Sequence, residues 1–218
     1  MDVTVLYGTA LLLGSLHALE PDHMAAVTTF AVRRPRTGSS VGFGLRWALG
    51  HGGAILIVGA LIIAAGLRFP DAAGHSLERA VGVVLIGLGL WTVAGSRRLH
   101  VHRHEHDDGT VHAHLHSHAL AEHHDHRHGA TAVGLLHGLA GTAPAVALVP
   151  LATFDTPAIA IGYLAVFGVG TALGMALYAL VAGLVIGRAA FASERLGRGV
   201  AGFTGFATIA IGLVWVLR

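Results

Sequence analysis

Residues 157–187 read PAIAIGYLAVFGVGTALGMALYALVAGLVIG, a run with no Asp, Glu, Lys, Arg or His. About 20 apolar residues in a helix cross a hydrocarbon core about 30 Å thick. Inside lipid only helices and closed barrels satisfy their own backbone groups. The run is far too long for a barrel strand, so it predicts a membrane-spanning helix. Five more apolar segments flank it, roughly 3–32, 41–66, 77–95, 130–152 and 199–217. The fold expected is all-α and polytopic, with six transmembrane helices. Composition agrees: 54% of the 218 residues are hydrophobic and only 12% charged, about half the charged share of a soluble domain.

The first segment is too long for one straight crossing and too short for two. Pro21 lies inside it, and a kinked or partly unwound helix reconciles length with thickness. No basic flank precedes this segment and no clear cleavage site follows it, which argues against a removable signal peptide. Ten arginines (33, 34, 36, 97, 98, 103, 127, 188, 195 and 198) fall in the connections after the first, third and fifth segments. Only Arg68, Arg79 and Arg218 fall on the other side. The basic side is normally cytoplasmic, so both termini are expected outside and the long central loop inside the cell.

The halves echo each other. Gly14-Ser15-Leu16-His17-Ala18-Leu19 resembles Gly134-Leu135-Leu136-His137-Gly138-Leu139. Leu49-Gly50-His51-Gly52 resembles Phe167-Gly168-Val169-Gly170, and Gly87-Leu88 near Trp91 resembles Gly212-Leu213 near Trp215. The offsets are 120, 118 and 125 residues. Repeats of three crossings must be inverted, because three is odd, and a site near the midplane is the usual plan of secondary transporters. The expected organisation is a first three-helix repeat at 1–96, a His-rich loop at 97–129 without regular structure, and a second three-helix repeat at 130–218.

Ionisable groups inside spans cost about 2.5–3.5 kcal/mol each on insertion scales and need a reason. The first segment carries His17, Glu20, Asp22 and His23, the second Arg46 and His51, and the fourth His137. On an ideal helix Asp22 would sit about 140° and His23 about 240° round from His17. Pro21 has no N–H for the carbonyl of residue 17 and opens that turn, which swings the three together beside a free carbonyl. Two imidazoles and a carboxylate suit a divalent first-row metal, with Ni²⁺ natural for a nitrogen-rich tetragonal site. Histidines ligate only when neutral, so affinity should fall below about pH 6.5. His51 lies at similar depth in the next segment. A lone intramembrane histidine often does no more than bond a neighbouring helix, but three with an acid at one depth ask for a shared purpose.

The run His17-x4-Asp22-His23 resembles the signature of the nickel/cobalt transporter family and its related exporter and urease-accessory-like branches. Leu49-Gly50-His51 is similar to that family's second motif. The resemblance implies metal recognition by His17, Asp22 and His23 with His51 close by; among the other ionisable residues of the spans, His137, Glu20 and Arg46 are candidate accessory residues. It departs from the larger importers, which have eight spans and an acidic motif where this chain reads Gly138-Leu139-Ala140-Gly141-Thr142-Ala143-Pro144. His137, next to this stretch, is a candidate to supply part of what that acid would.

Residues 100–128 hold twelve of the seventeen histidines: His100, His102, His104, His106, His112, His114, His116, His118, His123, His124, His126 and His128. Such tracts bind Zn²⁺, Ni²⁺, Co²⁺ and Cu²⁺ without strong selectivity and are too polar to pack a core. Arg46 sits near the cytoplasmic boundary, where snorkelling to headgroups is its expected role. Cysteine is absent, which removes disulfides, thiolate sites and thiol redox chemistry. A formal charge of +2, scattered along the chain, gives no reason to expect nucleic acid.

The expected function is therefore not enzymatic. It is secondary transport of Ni²⁺ or Co²⁺ (Zn²⁺ also fitting), with no prosthetic group and with the ion and the bilayer as partners. No phosphate loop or aspartyl-phosphate motif is visible, and the His loop and missing acid favour efflux. The alternatives are a membrane factor delivering metal to a nickel enzyme, an intramembrane metal hydrolase (which lacks a His-Glu-x-x-His run) and an anion exporter.

Overall fold

A computed structural model describes residues 2–33, 37–65, 71–96, 99–105, 111–117, 127–140 and 156–218. Its helices are α1 (Val3–His17), α2 (Pro21–Arg33), α3 (Thr37–Ala65), α4 (Asp71–Ser96), α5 (Arg127–Leu139), α6 (Pro157–Ala192) and α7 (Glu194–Leu217), with strands β1 (Leu99–Glu105) and β2 (Val111–Ser117) between α4 and α5. The ends follow local chemistry. Asp2 caps α1 by accepting from the Thr4 amide at 2.9 Å, and Thr156 caps α6 with Pro157 in its first turn.

This is a multi-pass membrane protein. Among the described residues α3, α4, α6 and α7 are each long and apolar enough to cross a bilayer, and α1 with α2 makes a fifth candidate, bent by 57° at its break. The count of six expected from the sequence is met only that far. The fourth apolar segment appears as α5, a helix of 13 residues, at about 1.5 Å per residue too short to cross alone; its continuation at 141–155 lies outside the described residues. The exterior is apolar, with Phe203 77% and Leu49 70% exposed, as a lipid-facing surface requires.

Glycines set the packing. α4 lies on α7, α3 on both α6 and α5, and α1 on α6. A Cβ added at Gly14 would overlap the Phe167 carbonyl, and one at Gly134 the Trp47 carbonyl. At Gly170 it would meet Leu11 O and Ser15 N, and at Gly50 Thr131 O and Leu135 N. These two contacts of α1 on α6 thus have counterparts in contacts of α5 on α3, with every residue displaced by 120 positions. Likewise Gly82 meets Gly212 while Gly205 meets Gly89, an equivalence at 123 residues. The sequence match of Gly50 to Gly168 is corrected: its packing counterpart is Gly170.

Polar ties add little beside this. Thr29 and Thr208 hydroxyls lie 3.1 Å apart, and interhelical hydrogen bonds in membranes average about 0.6 kcal/mol. Thr208→Val is therefore expected to cost under about 1 kcal/mol in thermal unfolding of the protein in nanodiscs; a larger loss would mean that this bond, and not the apolar packing of Ala31 and Val32 with Ala201, holds α2 on α7.

Where the sequence led us to expect an unstructured linker, β1 and β2 form an antiparallel ribbon. The reason is legible afterwards: His alternates with Val, Leu or Ala, and a period of two is a strand pattern. His106, His118, His123, His124 and His126 lie outside the described residues, and His128 falls at the start of α5.

Candidate metal centre

The break between α1 and α2 builds the site. α1 ends at His17; Leu19 N donates to Leu16 O at 2.9 Å and Glu20 N to His17 O at 3.0 Å. The turn tightens before Pro21, which opens α2 with Asp22 in its first turn. The carbonyl of His17, expected to be free, is thus taken by Glu20. What the break does supply is a change of direction, and that is what places His17, Asp22 and His23 on one side.

His51 arrives on α3 and His137 on α5. These two helices approach to backbone contact because Gly50, Gly134 and Gly138 carry no side chain between them; a Cβ at Gly138 would meet the His51 carbonyl. His17, Asp22, His23, His51 and His137 are all buried, none more than 5% exposed. Two overlapping ligand groups result, His17–His23–His51 and Asp22–His23–His137, each with its ligand atoms within 4.8 Å of one another. Every metal ligand expected within the membrane is therefore brought into this cluster, and His137, expected only as an accessory, joins it on equal terms.

The carboxylates orient the rings. His17 Nδ1 lies 2.9 Å from Glu20 Oε1 and His23 Nδ1 2.9 Å from Asp22 Oδ1. Carboxylates only accept, so both Nδ1 atoms carry the proton and both Nε2 atoms keep a lone pair. This carboxylate–histidine pairing is the arrangement that fixes tautomer and raises basicity in metal sites. His17 Nε2 faces His51 Nε2 at 3.2 Å. Two nitrogens about 2.0–2.1 Å from one ion would stand about 2.8–3.4 Å apart at tetragonal to tetrahedral angles. Asp22 Oδ2 approaches His137 Nε2 at 3.5 Å, too long for a hydrogen bond.

Several polar atoms here are buried without a hydrogen bond: His23 Nε2, His51 Nδ1, both His137 nitrogens and Trp47 Nε1, with His137 Nε2 met only by Asp22 at 3.5 Å. Orphaned buried groups cost about 1–3 kcal/mol each, so this cluster is costly as protein alone. A cation would satisfy the free imidazole nitrogens. Helix electrostatics favour one: His17 closes α1 and His137 lies in the last turn of α5, so two negative helix ends converge on the cluster.

The walls were missed in the sequence. Trp47 stacks on His51 with ring centres 5.0 Å apart and meets His23 edge-on at 4.7 Å; Phe167 lies 5.5 Å from His17. The available signal was Trp47 one turn before His51. Trp47 and Phe167 are also counterparts in the glycine contacts, so an aromatic backs each half of the site. Arg46 takes no place in the cluster; its guanidinium reaches back one turn over Gly42, towards the start of α3.

A family model described as the cytochrome C biogenesis protein transmembrane region matches residues 7–214. The urease accessory protein UreH of Bacillus sp. (strain TB-90) is 28% identical over 184 residues, covering 84% of this chain and 78% of that protein. No solved structure matches the chain. The matching model carries a different description from the nickel/cobalt transporters that the His17–His23 run resembles; the urease-accessory side of that resemblance is the part that UreH meets.

Proposed function

The chain belongs to the family of the cytochrome C biogenesis protein transmembrane region, and from that premise we propose that it is a membrane accessory factor that handles Ni²⁺ for a nickel enzyme. With no cysteine in the chain, no thiol relay is open to it, and its chemistry rests on imidazole and carboxylate. The observation that carries the reading is the buried cluster, four histidines and Asp22 with nitrogen lone pairs left unspent. The likeness to a urease accessory protein supplies the client class, since urease is a nickel enzyme.

Handling means passage through the membrane. The ion enters the His17–His23–His51 group, shifts across His23 to Asp22 and His137, and leaves on the other side. A helix broken at the ion site is the usual device for this. The reciprocal contacts of α1 on α6 and α5 on α3 support two inverted three-helix halves that rock about the site, with six crossings in all. The arginine distribution supports a cytoplasmic side for the His-rich segment, where the ion would be collected or received. Among the described residues the cluster holds no acid beyond Asp22 and Glu20, both engaged by histidines, so we read it as a carrier and not a hydrolase.

A second reading, secondary transport of Ni²⁺ or Co²⁺ for its own sake, rests on the same broken helix. One experiment separates the two. Cells expressing a urease at limiting nickel, with this chain or its Asp22→Asn variant, are assayed for urease activity and total nickel. The accessory reading expects wild type to raise activity severalfold and Asp22→Asn to abolish the gain. A change in cell nickel with no change in urease activity would select plain transport, and no effect on either would defeat both.

A further inference from the structure

The buried ligands are shared unequally between the halves. His17, Asp22, His23 and His51 come from the first, and among the described residues only His137 comes from the second. The glycine contacts fix which positions correspond. A Cβ at Gly174 would meet the Cβ of Ala18, and one at Gly138 the Cβ of Ala54. Ala18 and Gly138 are 120 residues apart, and so are Ala54 and Gly174, the displacement that also relates Gly14 to Gly134 and Gly50 to Gly170. Under it His17 corresponds to His137, and His51 to Thr171.

Thr171 has the same local setting as His51. Each follows a contact glycine, Gly170 or Gly50, and stands one turn beyond the aromatic wall of its half, Phe167 or Trp47. Both are fully buried. The Thr171 amide lies at the contact of α1 on α6, 3.0 Å from a Cβ added at Gly14, and the His51 carbonyl lies at the contact of α5 on α3. The side chains differ in reach. The His51 ring extends to His17, Nε2 to Nε2 at 3.2 Å. The Thr171 hydroxyl turns back on its own helix and donates to Phe167 O at 3.1 Å. The shortfall shows at the corresponding histidine. Both His17 nitrogens are met, by Glu20 and His51, whereas both His137 nitrogens lack a hydrogen bond.

We propose that Thr171 is a specificity-determining residue of the buried centre: it stands where the correspondence of the halves would place a second His51, and so leaves the Asp22–His23–His137 group one imidazole short. The inference rests on the nickel-handling reading of that centre. One group then offers three imidazoles and the other two with a carboxylate. Imidazole suits Ni²⁺, Cu²⁺ and Zn²⁺, whereas carboxylate and water suit harder ions such as Mn²⁺. The second group therefore grips nickel less and keeps a position open to water, as release of an ion requires. An imidazole at position 171 would close that position and turn a place of release into a trap.

The test titrates Ni²⁺ and Mn²⁺ into the full chain in nanodiscs, with the twelve histidines of residues 100–128 replaced by alanine in every protein. Wild type is compared with Thr171→His, His51→Thr and the exchange variant that carries both changes. Thr171→His is expected to bind Ni²⁺ about 10-fold more tightly, the converse of a partial loss in coordination, and to gain less for Mn²⁺. His51→Thr should lose about 10-fold, and the exchange variant, which keeps the same set of side chains, should regain most of that loss. Thr171→Val should match wild type, because the hydroxyl it removes is spent on α6. An exchange variant that binds Ni²⁺ no better than His51→Thr would overturn the assignment of Thr171. Wild type that binds no Ni²⁺ at all would overturn the nickel-handling reading itself, and this inference with it.

Discussion

Replacing His23 by phenylalanine is expected to weaken Ni²⁺ binding at the buried centre by at least about 100-fold, the upper end of what loss of a mere outer-shell partner costs. His23 is the one side chain common to both ligand groups, and its ring centre lies 4.5 Å from that of His17, 5.0 Å from His51 and 5.3 Å from His137. Loss of its nitrogens breaks both groups at once, and also frees Asp22 of its 2.9 Å partner. Phenylalanine keeps a ring against Trp47, so the loss reports ligation and not a cavity. His17→Ala or His51→Ala breaks only the first group and His137→Ala only the second; each is expected to cost about 10-fold, the range of a partial loss in coordination. The measurement is Ni²⁺ titration of the nanodisc-embedded protein with all twelve histidines of residues 100–128 replaced by alanine, so that the binding read is that of the buried centre. Protons compete for the same nitrogens, so every affinity should weaken on acidification, with His23→Phe least affected because it has least to lose. If His23→Phe binds as well as His137→Ala, the two groups do not share a residue and the stepwise path through them fails.

The chemistry of the centre was readable because its costliest elements are local. Histidines and an acid in an apolar run stand out against lipid, and Pro21 announces the break that gathers them. What was not readable depends on which atoms fill the break. The His17 carbonyl, free by the logic of proline alone, is taken by the Glu20 amide, because a tight turn satisfies itself before it offers an acceptor to a ligand. Trp47 gave a faint signal, since one aromatic near a histidine is ordinary; only the approach of α5 to α3 makes it a wall. The echo between the halves was visible, but its match at α6 was two residues off the glycine contacts. Glycines at 162, 168, 170 and 174 offer several local matches to Gly50, and contacts with α1, not similarity, choose Gly170. The ribbon was hidden by composition: counting histidines pointed to a polar linker, whereas their alternation with apolar residues already spelled a strand.

That same register leads to the second large effect, which concerns assembly. Gly134→Ala is expected to destabilise the protein by about 1–3 kcal/mol or more, the cost of forcing atoms into a packed interface. The added methyl would collide with the Trp47 carbonyl and Cα, backbone atoms that cannot rotate away, so α5 must back off from α3. Gly14→Ala meets the Phe167 carbonyl in the same way, and the reciprocity of the halves predicts a similar loss. Gly53→Ala is the control: nothing lies within 4 Å of its added carbon, and a helix interior gains about 0.5–1 kcal/mol when glycine becomes alanine. Thermal unfolding of the three variants in nanodiscs should therefore show two losses of like size and one neutral or stabilised protein. The site should register the direction of each displacement. Retreat of α5 carries His137 away and weakens the Asp22–His23–His137 group, whereas retreat of α1 carries His17 away and weakens the other. The double variant should add its two costs, because the contacts lie on different helix pairs with no shared partner. Were Gly134→Ala as stable as Gly53→Ala, the helices would not be in backbone contact, and nothing would then hold His137 within reach of Asp22.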